Sequence, residues 1–285
     1  MTPMSKLVNF GGNEKGGDLT RQFRNFYLKM TPMSMKRRGR QVSRLKFHSD
    51  GKMKWFPGNT IVSNLSHNSN VMEVIHEIQK AYQRLPFAEK FSFLPLSSVH
   101  MTVFELVCHF VRKQEKWSQY VDLDEPLDQV DSFFNDKLST LTFIKDFQMK
   151  AHSIRGTGLD LDPIDKQTKE RIKTFRDELA DTTGIKFKNH DTYQFHISFA
   201  YRIEEQDSHE KQVVAELNNQ LLQDVIAEME PITIKQIDFT VFEDMSEFVP
   251  YDSQARERLR VKKEYAQEKW LNMKMKRGVK ERAKE

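Results

Sequence analysis

Two five-residue segments constrain this chain more than any other feature: Val99-His100-Met101-Thr102-Val103 and Phe195-His196-Ile197-Ser198-Phe199. Each alternates apolar and polar residues, the mark of a half-buried β-strand. Successive side chains on a strand point to opposite faces. Val99, Met101 and Val103 therefore enter a core while His100 and Thr102 look out together, and Phe195, Ile197 and Phe199 do the same for His196 and Ser198. An imidazole is thus presented beside a hydroxyl, twice. Two imidazoles can serve as acid and base, and two hydroxyls can hold phosphate oxygens. The combination suits phosphodiester chemistry without a metal.

A His-x-Ser/Thr triplet carries little weight alone. Of the nine histidines, His67, His100, His190 and His196 all have Ser or Thr two residues on. His67 lies in the turn-rich Ser66-His67-Asn68-Ser69-Asn70, which reads as a helix cap. His190 follows Lys186-Phe187-Lys188-Asn189, a loop, and Asp191 reads as a turn residue. A single histidine on a strand is ordinarily a hydrogen-bonded structural residue. The argument for a site rests on the matched pair, at a separation that fits one repeat of a two-lobed fold.

The paired His-x-Thr and His-x-Ser strands resemble those of the 2H phosphoesterase superfamily, named for its two histidines. The blocks Phe56-Pro57-Gly58-Asn59-Thr60, Ser98-Val99-His100-Met101-Thr102-Val103-Phe104 and Tyr193-Gln194-Phe195-His196 are similar to a little-characterised branch of it, over roughly Leu45 to Met245. The resemblance implies an α+β fold of two similar lobes, mostly antiparallel sheets lining a central cleft with helices outside. It implies opening of 2′,3′-cyclic phosphates, RNA 3′-end trimming or 2′-5′ ligation. His100 and His196 would be catalytic and Thr102 and Ser198 would bind phosphate, with no metal or other cofactor. Ser198 stands where many members have Thr; either hydroxyl can donate to phosphate.

Charge divides the chain. Residues 1–50 carry a net +8 and residues 252–285 a net +6, which leaves −10 for residues 51–251. Nucleic-acid grooves show a basic footprint on the folded domain. The acidic centre therefore favours a small nucleotide or a chain end, which the resemblance implies to be an RNA 3′ end bearing a cyclic phosphate, with the basic tails as polyanion contacts or simply solvated ends. The expected layout is a basic flexible extension over 1–44, the two-motif domain over 45–250, and a basic helical or disordered tail over 251–285. One cysteine, Cys108, rules out an intramolecular disulfide and reads as a small core residue. With no apolar run near the ~20 residues of a membrane span and no secretory signal, the expectation is a cytoplasmic or nuclear monomer without a membrane partner.

Along the chain, Lys36-Arg37-Arg38-Gly39-Arg40 reads as a nuclear signal or polyanion contact, and Met-Thr-Pro-Met-Ser occurs at 1–5 and 30–34 without further meaning. A hairpin is predicted from Leu45–His48 through Asp50-Gly51 to Lys52–Phe56, then a strand at Asn59–Leu65. Apolar spacing from Val71 to Leu85 predicts a helix capped by Asn68 or Ser69. Helices follow at Leu127–Phe143, Ile164–Thr182 (closed by Gly184) and Ser208–Met229, with strands at Phe91–Leu94, Val99–Val107, Phe147–Ile154, Phe195–Ile203 and Ile232–Phe242. No Gly-rich phosphate loop is present.

Tyr193 and Phe104 are further candidates for substrate contact. Tyr193 lies in the second block, and Phe104 shares the parity of His100 and Thr102, so it can stack on a base; core packing is the alternative for both. Arg155 is an isolated arginine that can meet phosphate or merely solvent. Two other function classes compete: a nucleotide-binding module without turnover, and an HD-type metal phosphohydrolase built on His190-Asp191. The second needs further ligands on helices, against the strand-rich surroundings.

Overall fold

The computed structural model describes residues 41–265, with side chains from Arg44 onward, and these belong to one compact unit. The basic run at Lys36–Arg40, the repeated pentapeptide and the far end of the tail lie outside the described residues.

In chain order the elements are α1 (Gln41–Lys46), β1 (Gly58–Asn64), α2 (Ser69–Gln83), β2 (Phe91–Phe93), β3 (His100–Cys108), α3 (Leu127–Leu138), β4 (Phe147–Arg155), β5 (Gly158–Pro163), α4 (Lys166–Thr183), β6 (Phe195–Ser198), β7 (Ala200–Arg202), α5 (Ser208–Leu221), β8 (Ile232–Ile234), β9 (Asp238–Phe242), β10 (Val249–Pro250) and α6 (255–265). Local chemistry accounts for the helices. The Asn68 side chain accepts from Val71 N at the start of α2, and Asp165 accepts from Thr168 N at the start of α4. Gly184, at φ 68°, ends α4 in the left-handed conformation that glycine adopts without strain. Asp207 and Glu210 close a reciprocal capping box at α5.

Eight strands form one antiparallel sheet in the order β10-β9-β1-β3-β6-β5-β4-β8, and β2 pairs with β7 separately. The predicted α+β class with mostly antiparallel sheet is observed. Its two halves, β9-β1-β3 and β6-β5-β4, meet at the β3–β6 seam, so the motif strands are central neighbours in one sheet rather than strands of separate facing sheets. Helical Val71, Ile75 and Ile78 of α2 and Ile172, Phe175 and Leu179 of α4 share one apolar core with Met101 and Ile197. Each large aliphatic or aromatic side chain buried there stabilises the fold by about 1.5–3 kcal/mol.

The structure alters three expectations about the chain's layout. The first hairpin is reduced to a single bridge, Phe47 to Met53, with Gly51 at φ 82° in its turn. An unexpected strand, β5, follows β4. The domain also does not stop at residue 250: Ala255, Arg256 and Leu259 of α6 are buried. Arg256 donates through Nε and Nη2 to Asp131, through Nη1 to Glu243 and the Phe242 carbonyl, and through Nη2 to the Gly58 carbonyl. Asn59 Nδ2 adds 2.7 Å to Asp131 Oδ1, and its own Oδ1 accepts from Val107 N. Gly58 permits the closeness, since a Cβ there would sit 2.6 Å from the Phe242 ring and 2.7 Å from the Val107 carbonyl.

Candidate functional site

Met101 and Ile197, both fully buried, are paired across β3 and β6. Carried one residue each way, this antiparallel register sets His100 opposite Ser198 and Thr102 opposite His196, all on the face away from the core. All four are half-buried. In a regular antiparallel pair the direct neighbours have Cβ atoms about 5 Å apart and the diagonal ones about 7–8 Å. The two imidazoles occupy one diagonal of this square and the two hydroxyls the other. A tetrahedral group above its centre can meet all four.

The two rings are held alike. Nδ1 of His100 lies 2.6 Å from the Ser98 carbonyl, and Nδ1 of His196 lies 3.1 Å from the Gln194 carbonyl, each two residues back along the chain, just before its strand. A carbonyl only accepts, so each Nδ1 carries the proton and each Nε2 is left for a ligand. The His100 ring also packs against Phe248 with centroids 4.0 Å apart. Burial lowers the His100 pKa to about 4; the Ser98 carbonyl opposes this, while His196 and Lys46 push the same way. His100 is therefore a neutral imidazole at pH 7.

The weaker candidates separate. Tyr193 lies beside the square and shares a hydrogen bond with the Thr102 side chain; burial raises its pKa far above the ordinary phenol value. The Arg176 guanidinium covers its ring at 4.4 Å. Phe104 does not share the face of His100 and Thr102. Adjacent residues Ile61 and Val62 of β1 pair with Phe104 and Thr102, so β3 bulges between them and its alternation shifts by one. Phe104 is 3% exposed, edge-on to His190 and under Arg176, and Glu105 is the exposed residue instead. Strict period-2 counting across Val103 fails at this bulge.

Asp177, His190 and Asp191 bring ligand-type atoms within 4.8 Å of one another. Asp177 already accepts from Lys173 Nζ at 2.6 Å and pairs with His190 Nε2 at 2.8 Å, so an ammonium occupies the charge position there. Lys46 has a different setting. Its Nζ donates to the Tyr201 hydroxyl at 3.1 Å and lies over the Phe56 and Tyr201 rings, among the aromatic side chains that back His100. Burial works against its charge and Tyr201 works for it, with a net upward shift. Nothing in a basic N-terminal stretch distinguishes this lysine by sequence. Cys108 is half-buried, and burial pushes its thiol up to about 11, which keeps it a thiol.

A chain with this geometry can be compared with known proteins. Residues 46–160 match the 2H-phosphodiest family model, described as "Domain of unknown function (DUF1868)", which supports membership of the 2H phosphoesterase superfamily. The matched segment contains His100 and Thr102 but not His196 and Ser198. The crystal structure of the conserved protein of unknown function ATU0111 from Agrobacterium tumefaciens str. C58 is similar, with a TM-score of 0.69 and 28% identity, covering 72% of this chain and 89% of that one. No curated protein matches the sequence. No helix among the described residues is long and apolar enough to cross a membrane.

Proposed function

We propose that the chain is a phosphodiesterase that opens the 2′,3′-cyclic phosphate of a nucleotide or RNA end by two-histidine acid–base catalysis. The observation that carries this reading is the square itself, two imidazoles and two hydroxyls on one face with both Nδ1 atoms bound to backbone carbonyls. His100, kept neutral by burial, takes the role of base. Its Nε2 removes a proton from water as the water oxygen bonds to phosphorus. The bond from phosphorus to one ribose oxygen breaks, and protonated His196 gives its proton to that oxygen. The product is a nucleoside 2′- or 3′-monophosphate. Exchange with solvent then restores both rings. Thr102 and Ser198 donate to the nonbridging oxygens, where charge accumulates in the transition state. The proton transfers need no metal ion.

The test is a panel of nucleoside 2′,3′-cyclic phosphates, cyclic-phosphate-ended RNAs and 2′-5′-linked oligomers, run with excess chelator. At least one is expected to turn over. His100→Ala and His196→Ala should each reduce kcat by about 10²–10⁴, the usual worth of one positioned proton transfer. Activity that survives both substitutions would place the chemistry elsewhere, and activity lost only to chelator would favour a metal enzyme.

A further inference from the structure

His196 and Ser198 also have neighbours on the side away from β3. The β5–β6 register sets Gly158 opposite Ser198 and Asp160 opposite His196. The β4–β5 register sets Arg155 opposite Gly158 and Ser153 opposite Asp160. Directly opposed residues share a face, so one row of the sheet runs His100, Ser198, Gly158, Arg155, and the next runs Thr102, His196, Asp160, Ser153. Asp160 is 4% exposed. It accepts from Ser153 Oγ at 3.1 Å and from Arg155 Nη2 at 3.3 Å, and Arg155 Nε lies 3.2 Å away in the same ion pair. The guanidinium is therefore fixed on the face that carries the histidines.

Its setting exceeds what neutralising Asp160 requires. The Arg155 side chain is 68% exposed, whereas that of Asp160 is 6% exposed. A guanidinium has five N–H donors, and Asp160 engages only two of its nitrogens, which leaves donors directed outward. Between Arg155 and the square stands Gly158, whose added Cβ would already lie 3.5 Å from the His196 ring. A longer side chain there would wall the arginine off from the histidines. Two strand spacings, about 10 Å, separate the backbone of Arg155 from β6, and Asp160, which holds the guanidinium, lies on the strand between them.

We propose that Arg155 forms a second anion subsite, for a phosphate beyond the one held by the histidine–hydroxyl square. The inference rests on the proposed reading of that square. In an end that terminates in a 2′,3′-cyclic phosphate, the nearest further phosphate is the 5′-phosphate of the same nucleotide. The ligand class is then a 5′-phosphorylated nucleotide or an oligonucleotide end, not a nucleoside cyclic phosphate alone. A fork of donors held in place by a buried carboxylate is preorganised for bidentate contact with phosphate.

Calorimetric titration of the full chain with adenosine 2′-monophosphate and with adenosine 2′,5′-bisphosphate tests this without depending on turnover. The wild-type protein should bind the bisphosphate at least tenfold tighter. Arg155→Ala should bring that ratio close to one, and Arg155→Lys should restore part of it. A wild-type ratio near one, no binding of either probe, or equal weakening of both by Arg155→Ala would overturn the subsite; the last result would reduce Arg155 to a support for Asp160. Binding with an Arg155-dependent ratio in a protein that turns over nothing in the cyclic-phosphate panel would uphold the subsite while removing the catalytic reading.

Discussion

Two of the polar groups on this sheet, one around Arg256 and one around the two histidines, are completed in opposite ways. Around Arg256, every charge meets its counterpart inside the chain: Asp131 and Glu243 are fully buried, Asn59 bridges to the backbone, and two carbonyls take the remaining guanidinium donors. Around His100 and His196, the described residues answer one nitrogen of each ring, with a backbone carbonyl. The first group is closed and holds elements together that are far apart in sequence. The second stays half-exposed on the sheet face that carries both motifs, oriented by backbone carbonyls among the described residues. Polar residues in a sheet can thus be sorted by what remains unpaired, since a buried group left without a partner costs stability and a half-exposed one is available to a ligand.

The strongest way to break this contrast is at the closed group. Deleting residues 252–285 removes Arg256 and with it buried Ala255 and Leu259, and should abolish the cooperative thermal transition of the domain. Arg256→Ala alone should cost about 3–5 kcal/mol, because Asp131 and Glu243 would be left buried without their cation. Chemical denaturation measures it, and a loss below 1 kcal/mol would mean that the network is dispensable. This reverses the expectation that everything beyond residue 250 is a detachable tail. The reason is physical: six carboxylates and twelve basic residues over 252–285 average to a solvated segment, while one of those arginines is buried.

At the open group, Thr102→Ala and Ser198→Ala should lower turnover less than the histidine substitutions do. Each removes one hydrogen bond to a charged phosphate oxygen, worth about 1.5–3 kcal/mol, and should leave the melting temperature nearly unchanged. A melting point that falls as far as in Arg256→Ala would show the two groups to be alike after all.

The contrast also shows in pH dependence. With the His100 value lowered to about 4, a base at this position stays competent well below pH 6.5. The acidic limb of kcat/KM should therefore fall near pH 4 to 5, and an acidic limb at 6.5 or above would assign the base elsewhere. The same shift acts on stability. The unfolded chain takes up the His100 proton below about 6.5, whereas the folded chain resists it until about 4, so stability present above 6.5 is lost as pH falls through that window. His100→Gln should show a shallower decline in melting temperature between pH 7 and 4.5.

Much of the local structure was legible. The apolar spacing from Val71 to Leu85 became α2, which ends at Gln83 and takes Asn68 rather than Ser69 as its cap, and Gly184 ended α4. Both motifs formed strands with His100, Thr102, His196 and Ser198 turned away from Met101 and Ile197, but the single strand expected over Phe195–Ile203 breaks at Phe199 into β6 and β7, which join different sheets. Three things were not legible. β5, six residues between Gly156 and the next helix, falls where the sequence assigned no element, and it is the strand that sets Gly158 and Asp160 beside the second motif. The bulge in β3 left no mark in a run that alternates smoothly to Val103, and it sent Phe104 inward. The block Phe56-Pro57-Gly58-Asn59-Thr60, part of the family resemblance, belongs to the closed network around Arg256 rather than to the cleft.

What the chain determines by itself is the face each residue takes within its own strand, because a backbone with a repeat of two sends neighbouring side chains to opposite sides wherever the pleat is regular. Which strands become neighbours was decided by the tertiary structure. Met101 meets Ile197 only because two apolar faces, distant in sequence, close over one shared core, and the pairing that buries them carries His100, Thr102, His196 and Ser198 together on the other side. Local periodicity contains no information about that choice, since any two strands of the same period present the same edge of N–H and C=O groups to a partner.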